Sequence, residues 1–430
     1  MTTSLENQLN LRQQLVRKDE SKKYTFNYPL EALRGLAAVF VVLHHATLPG
    51  STPDPAYRPT GIWQYSPPGH LSVLIFFILS GYVIGITNQK PILSSNDIKS
   101  YLKKRFVRIY PLYILAILAS LMIEVLYQEP VHSGDVLGWS LFLQGLVVKV
   151  PQYNHPLWSL GYEIVYYIIF LLVSAKQWRV QYVILFSLLL AFLFAKTGVQ
   201  PTSLVSYAYG AAFWFVGLWL AKLPKSEKPP EYGSMLAFVF LMLCYERLNL
   251  ITVIARSVNM DTNPTLVKSF FDQPIVFADL SNIVLCIPLL LCFTNRSFPH
   301  KAQIQIIPFA IPIVYILIYV VSGKIYKSEI INSLAIPAII YFLSLLAYIV
   351  RNKINKIGEK FINNTVFLGA ISYGIYIIHF PIFFLFRQVK YFSGTAESFM
   401  VRMILFLSIV YTVAWVLEKR IQPWIKTKLL

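Results

Sequence analysis

Charge is what this chain has least of. Only 13% of its 430 residues are charged, against roughly 25% in an ordinary soluble domain, while 56% are hydrophobic. With a mean hydropathy of +0.57, the shortage excludes a soluble globular enzyme. Cysteine is scarce as well. Cys244, Cys286 and Cys292 sit in or beside apolar stretches without metal-ligand spacing, and read as buried thiols behaving as small hydrophobes. No Walker loop, dinucleotide fingerprint or zinc-binding helix motif occurs, so neither a bound cofactor nor a metal is expected. The sequence shows no internal repeat or inverted half of the kind many secondary transporters carry. Nor does it contain a connection long enough for a soluble domain: 50–70, 128–157 and 251–272 read as loops. The chemistry is therefore expected inside a membrane bundle.

Apolar stretches of spanning length recur from Gly35 to Leu417. They predict an all-α polytopic bundle of about 10–12 transmembrane helices, closed helices being the viable spanning structure here. Segmentation places spans near 28–49, 71–87, 109–127, 158–175, 181–196, 204–222, 233–250, 273–293, 304–322, 330–350, 363–386 and 398–417. Trp139–Val150 is apolar but short, and reads as a re-entrant or surface helix. Residues 1–27 are polar and lack an apolar core ending at a cleavage site, so they read as a cytoplasmic tail. Residues 28–417 form the membrane domain and 418–430 a second cytoplasmic tail. The net charge of +18 follows the positive-inside pattern: most of the 38 Lys and Arg fall on the side of both termini. The basic charge sets topology and does not point to nucleic acid.

Five polar islands interrupt the apolar pattern. In the first span Glu31, Arg34, His44 and His45 share one helix. Ionisable residues inside a span are costly and mark sites by default. At ~100° per residue, Arg34 and His45 fall within roughly 20° of one face, about 16 Å apart along the axis. Glu31 can pair with Arg34 one turn away. His45 can serve as a general base near neutral pH; His44 points elsewhere. The second island, Phe76–Tyr82, favours close helix packing over a catalytic Ser80, because no base stands beside it. The third, Lys103–Tyr113, is a basic anchor or a phosphate clamp. Arg105 and Arg108 lie one turn apart, suited to a polyanion, with Tyr110 or Tyr113 available to stack on a base. The fourth places Trp158 at an interface and Ser159 and Glu163 on one face. Glu163 can orient His45, bind a sugar hydroxyl, or make a protonated helix–helix hydrogen bond. In the fifth, Ser372, Tyr376 and His379 form a polar stripe, supporting substrate or packing more than direct catalysis.

Together the islands resemble the acyltransferase 3 family of integral membrane O-acyltransferases, in its stand-alone form without a fused esterase-like domain. Leu30–Ala38 with His45 is similar to that family's first-span signature, and Phe76–Tyr82 to its Phe-Phe-x-Leu-Ser-Gly run. Arg105–Pro111 resembles its Arg-x-x-Arg segment. Trp158-Ser159-Leu160-x-x-Glu163 and Ser372-Tyr373-x-Ile375-Tyr376-x-x-His379-x-Pro381 are similar to two further signatures. Glu31 stands where aspartate is usual and Ala32 where glycine is.

The resemblance implies a bacterial inner-membrane enzyme using acyl-coenzyme A, most often acetyl, as co-substrate, and a hydroxyl-bearing glycan or other acceptor. On this reading the coenzyme's phosphates dock at Arg105 and Arg108, its arm passes Arg34 and Glu31, and His45 deprotonates the acceptor hydroxyl with Glu163 holding the imidazole. Tyr110, Trp158, Ser159, Ser372, Tyr376 and His379 line the donor or acceptor path. The rival is a transporter or flippase for a glycolipid or organic anion. The sidedness is directly measurable. A cysteine engineered into the 88–104 connection is expected to react with an impermeant thiol reagent only from the cytoplasmic side; labelling from outside would reverse the topology.

Overall fold

Asn27 starts the first helix. Its side chain accepts from the Leu30 amide, Pro29 occupies the first turn and Glu31 adds negative charge there, three features that suit a helix N-terminus. In this computed structural model, residues 27–48, 52–258 and 260–429 are described; of the tail predicted over 1–27, all but Asn27 lies outside them. The helices are α1 (Tyr28–Thr47), α2 (Gly69–Thr87), α3 (Ser95–Leu126), α4 (Ser133–Ser140), α5 (Trp158–Ala175), α6 (Val180–Thr197), α7 (Ser203–Ala221) and α8 (Tyr232–Leu248). They continue as α9 (Leu250–Val258), α10 (Ile283–Phe293), α11 (Lys301–Val321), α12 (Ser328–Ile349), α13 (Asn355–Gly369), α14 (Ser372–Gln388), α15 (Ala396–Val416) and α16 (Gln422–Leu429). Among the described residues ten helical runs are long and apolar enough to cross a membrane, and α13–α14, bent by 64°, passes the same test only when the two helices are taken together. The polytopic helical bundle expected from hydropathy is what forms.

Three expected segments take a different form. The span predicted at 273–293 is a 3-10 turn, Phe277–Asn282, running into the short α10. Its ends nevertheless meet opposite ends of α8: Ser281 accepts from Asn249, while the Cys292 thiol donates to the Glu231 carbonyl. The span predicted at 363–386 breaks at Ala370–Ile371. Trp139–Val150 is neither a re-entrant nor a surface helix beyond the end of α4. It folds back into the bundle, where Phe142 stacks on Tyr113 at 4.1 Å and the Gln144 amide donates to the Leu157 carbonyl. Non-helical backbone survives at such depth only when protein satisfies its polar groups. The expected tail after Glu418 is also ordered, as a π turn over Leu417–Ile421 followed by α16.

Two prolines shape the centre. Proline has no N–H, so it leaves the carbonyl four residues earlier without its helical partner. Pro111 in α3 frees the Val107 carbonyl, which takes the Gln422 amide at 2.7 Å. Pro381 in α14 frees the Ile377 carbonyl, which takes the Asn154 amide at 2.9 Å. At the end of the bundle away from Lys104, buried Arg402 donates to the carbonyls of Pro53, Phe386, Val389 and Tyr391. Beside it Asp54 accepts from the amides of Ala56, Tyr57 and Gly394 and the Ser398 hydroxyl. Burial alone would raise the Asp54 pKa, but these hydrogen bonds outweigh it and hold the carboxyl below its ordinary value.

Helices α2 and α7 touch backbone to backbone. A methyl group on Gly81 would collide with the Trp214 carbonyl, and one on Gly217 with the Ile78 carbonyl. Small residues at crossings allow this approach in membranes. Gly81→Val is therefore expected to lower the yield of monodisperse protein severely and cost roughly 3 kcal/mol or more, beyond ordinary overpacking. Gel filtration and thermal melts in detergent check this; wild-type behaviour would mean the helices can separate freely.

Candidate functional site

Arg34 holds the break between α13 and α14. Its guanidinium bonds Glu31 at 2.5 Å, the Gly369 carbonyl at 2.8 Å and the Ser372 hydroxyl at 3.1 Å. A cation at the C-terminus of α13 suits the helix dipole and its unpaired carbonyls. Gly35 and Gly369 let the two backbones meet there. The same guanidinium lines a cavity of about 420 Å³, within the ~300–1,000 Å³ common for small-molecule sites.

The cavity runs from a basic mouth to a polar inner end. Lys104, Arg105, Arg108 and Lys426 stand at the mouth; Glu31, Arg34 and Ser372 follow, and Glu163, Ser80, Ser159 and Tyr376 lie further in. Of the residues predicted from sequence, Glu31, Arg34, Arg105, Arg108, Ser159, Glu163, Ser372 and Tyr376 are thus brought to one space. Tyr110, Trp158, His45 and His379 are not among its lining. Tyr110 stacks on Phe106 at 4.6 Å, and Trp158 packs edge-on against Tyr162 and Phe77. Tyr113 stacks on Phe142 and donates its hydroxyl to the Trp139 carbonyl, so both tyrosines are engaged with aromatic partners outside the cavity lining.

Glu163 does not reach His45. It accepts from Ser80 at 2.8 Å and from the Tyr167 hydroxyl, and Trp214 in turn donates to Ser80. The reason is depth. One turn away from Glu163, Ser159 bonds the Tyr376 hydroxyl at 2.7 Å, and this pair stands between the carboxylate and the histidines. Ser80 is consequently a lining residue and not only a packing one, while Gly81 beside it does the packing.

His45 has a different partner. Its Nδ1 lies 3.0 Å from Nε2 of His379, with the rings 16° from parallel. Nδ1 of His379 faces the Tyr376 carbonyl at 2.8 Å and the Ile375 carbonyl at 3.2 Å. Carbonyls only accept, so that nitrogen carries the proton and Nε2 is left as an acceptor. His45 Nδ1 must then donate, which leaves the lone pair of His45 on Nε2. His379, and not Glu163, is the side chain hydrogen-bonded to His45. His44 instead turns its Nδ1 to the Pro67 carbonyl and Ser66.

Arg108 is also committed, to Glu418 at 2.7 Å. Sequence reading missed Glu418, Gln422 and Lys426. Their spacing of four, continuing helically past the last span, was the available signal. Tyr167, four residues after Glu163, carried the same signal. Among the described residues no group of three or more His, Cys, Asp or Glu is placed to hold a metal.

Comparison with known proteins identifies the family. Residues 27–419 match the family model of the acyltransferase domain, acyltransferase 3. A stretch of 149 residues is 26% identical to acyltransferase MdmB of Streptomyces mycarofaciens, covering 33% of this chain and 37% of that protein. Another of 90 residues is 36% identical to protein 2 in the picA locus of Rhizobium radiobacter, covering 20% of this chain and 40% of that protein. The chain thus spans about two fifths of the length of each of these relatives. No solved structure matches.

The Arg108–Glu418 pair has a measurable consequence. The Glu418 side chain is 3% exposed and that of Arg108 39%. Breaking a buried pair costs about 3–5 kcal/mol; with Arg108 partly solvated, Arg108→Gln is expected to cost roughly 2–3 kcal/mol. Arg108→Met with Glu418→Met should recover most of that loss. Thermal melts of the single and double variants test it; an unaffected single variant would show the pair contributes nothing.

Proposed function

The chain belongs to the acyltransferase 3 family of membrane acyltransferases, and from that premise we propose the following reaction. An acyl group, acetyl in the simplest case, moves from cytoplasmic acyl-coenzyme A to a hydroxyl of an extracytoplasmic or lipid-linked glycan, in a bacterial inner membrane. The observation that carries this reading is the cavity itself. It opens among cations at the end of the bundle expected to be cytoplasmic, and ends at Ser159 and Tyr376, whose helix carries His379 one turn further on. A polyanionic nucleotide suits the mouth, and a thin apolar arm suits the interior between Phe76, Phe77 and Val83.

In this mechanism the thioester passes Arg34 and is presented beyond the Ser159–Tyr376 hydrogen bond, which must open to admit it. His45 Nε2 takes the proton of the attacking hydroxyl. The hydroxyl oxygen forms the new ester bond as the thioester C–S bond breaks, and the coenzyme thiolate takes up the proton that His45 Nε2 received. His379 accepts from His45 Nδ1 throughout, so Nε2 enters the reaction unprotonated and aimed at the hydroxyl, the part a carboxylate plays in serine hydrolases. Glu163, hydrogen-bonded to Ser80 and Tyr167, shapes the cavity wall. The acyl transfer named for MdmB supports the reaction class.

His45→Ala is expected to abolish transfer with normal abundance in the membrane. His379→Ala should lower turnover by about 10²-fold or more, while His379→Gln, whose amide oxygen can still accept, should retain more activity. Mass spectrometry of surface glycans from cells with and without the protein reads the reaction as a lost ester mass. Full ester content with His45→Ala would overturn its role. A chain that moves glycolipid without altering ester content would be the transporter instead.

A further inference from the structure

We infer that the C-terminal helix α16 belongs to the donor site: Lys426, backed by Gln422, joins Lys104 and Arg105 in gripping the phosphates of the incoming coenzyme A thioester. This rests on the acyl-coenzyme A reading above.

The inference starts from Pro111. By freeing the Val107 carbonyl it creates a docking point in the wall of α3, and the Gln422 Nε2 fills it at 2.7 Å. That bond fixes the amide plane and leaves Gln422 Oε1 buried without a hydrogen-bond partner, on a residue only 7% exposed that lines the cavity. A buried polar atom left so is costly, and a bound ligand's hydroxyl or amide would satisfy it. One turn earlier, Glu418 neutralises Arg108, whose guanidinium lies over the Tyr373 ring. Arg108 is therefore not the free cation that its spacing from Arg105 suggests.

One turn after Gln422, Lys426 reaches the cavity rim. No carboxylate among the described residues pairs with Lys426, Lys104 or Arg105. Arg105 spreads its guanidinium over the rings of Tyr101 and Tyr167 at 5.9 and 6.0 Å, and its Nε is buried without a partner. Three uncompensated cations from two helices thus flank one opening, with an unsatisfied amide oxygen just inside. That pattern fits a phosphate-rich head joined to a polar, slender tail. A lipid phosphate shares the head chemistry, but it leaves the cavity and Gln422 Oε1 unused, so the donor is the better occupant.

The test uses the full-length protein in phosphatidylcholine nanodiscs, with coenzyme A and pantetheine titrated calorimetrically. Lys426→Ala is expected to weaken coenzyme A binding about tenfold and leave pantetheine unchanged. Lys428→Ala, on the same helix but off the cavity, should alter neither, and Lys426→Arg should retain affinity. Unchanged coenzyme A binding by Lys426→Ala would remove α16 from the site while leaving the donor reading intact. Equal loss for both ligands would mean that α16 acts through packing, and overturns the inference. Coenzyme A binding lost from the wild type in phosphatidylglycerol nanodiscs would assign the cations to lipid headgroups. Wild type that binds no coenzyme A would fell both the inference and the donor reading.

Discussion

The guanidinium of Arg34 is the constraint on which the rest of this structure depends. A cation within an apolar bundle is tolerated only when its donors are met, and Arg34 meets Glu31, the Gly369 carbonyl and Ser372. Those three partners lie on α1, at the end of α13 and at the start of α14. Binding them together lets the chain break between α13 and α14, since the carbonyls exposed by the break have a charged donor to hold. The break aims α14 across the bundle and sets Tyr376 against Ser159 and His379 against His45. One half-buried charge thus organises both the cavity wall and the histidine pair beyond it.

Backbone groups released by proline serve the same economy. Pro111 and Pro381 each remove a helical hydrogen bond, and in each case a side-chain amide from a distant segment fills the gap. Inside a membrane an unfilled carbonyl is expensive, so the freed acceptors act as addresses for other parts of the chain. Asn154 brings the end of the α4–α5 connection to α14. Gln422 brings the C-terminal helix to the basic end of α3, where it changes the local electrostatics by placing Glu418 on Arg108.

Much of this was legible beforehand. Hydropathy gave the bundle, and the polar islands gave eight of the residues around the cavity, because ionisable groups in spans are too costly to persist without partners. Helical spacing correctly put Glu31 beside Arg34 and made a stripe of Ser372, Tyr376 and His379. It failed where a partner came from elsewhere in the chain. The likeness to a serine hydrolase triad suggested a carboxylate for His45, yet Glu163 sits a turn too deep and bonds Ser80 and Tyr167. Arg105 and Arg108 looked equivalent on one helix; Glu418, some 310 residues away, made them different.

The sequence by itself determined the membrane bundle and the set of costly polar side chains, since these follow from transfer free energies and helical periodicity within single segments. Only the tertiary structure decided which of those side chains meet. Pairing of His45 with His379, of Glu163 with Ser80, and of Arg108 with Glu418 depends on helix depth and on where α13 and α14 part. Those are set by packing between segments far apart in the chain, where glycine contacts and proline-freed carbonyls fix distances that no local pattern encodes.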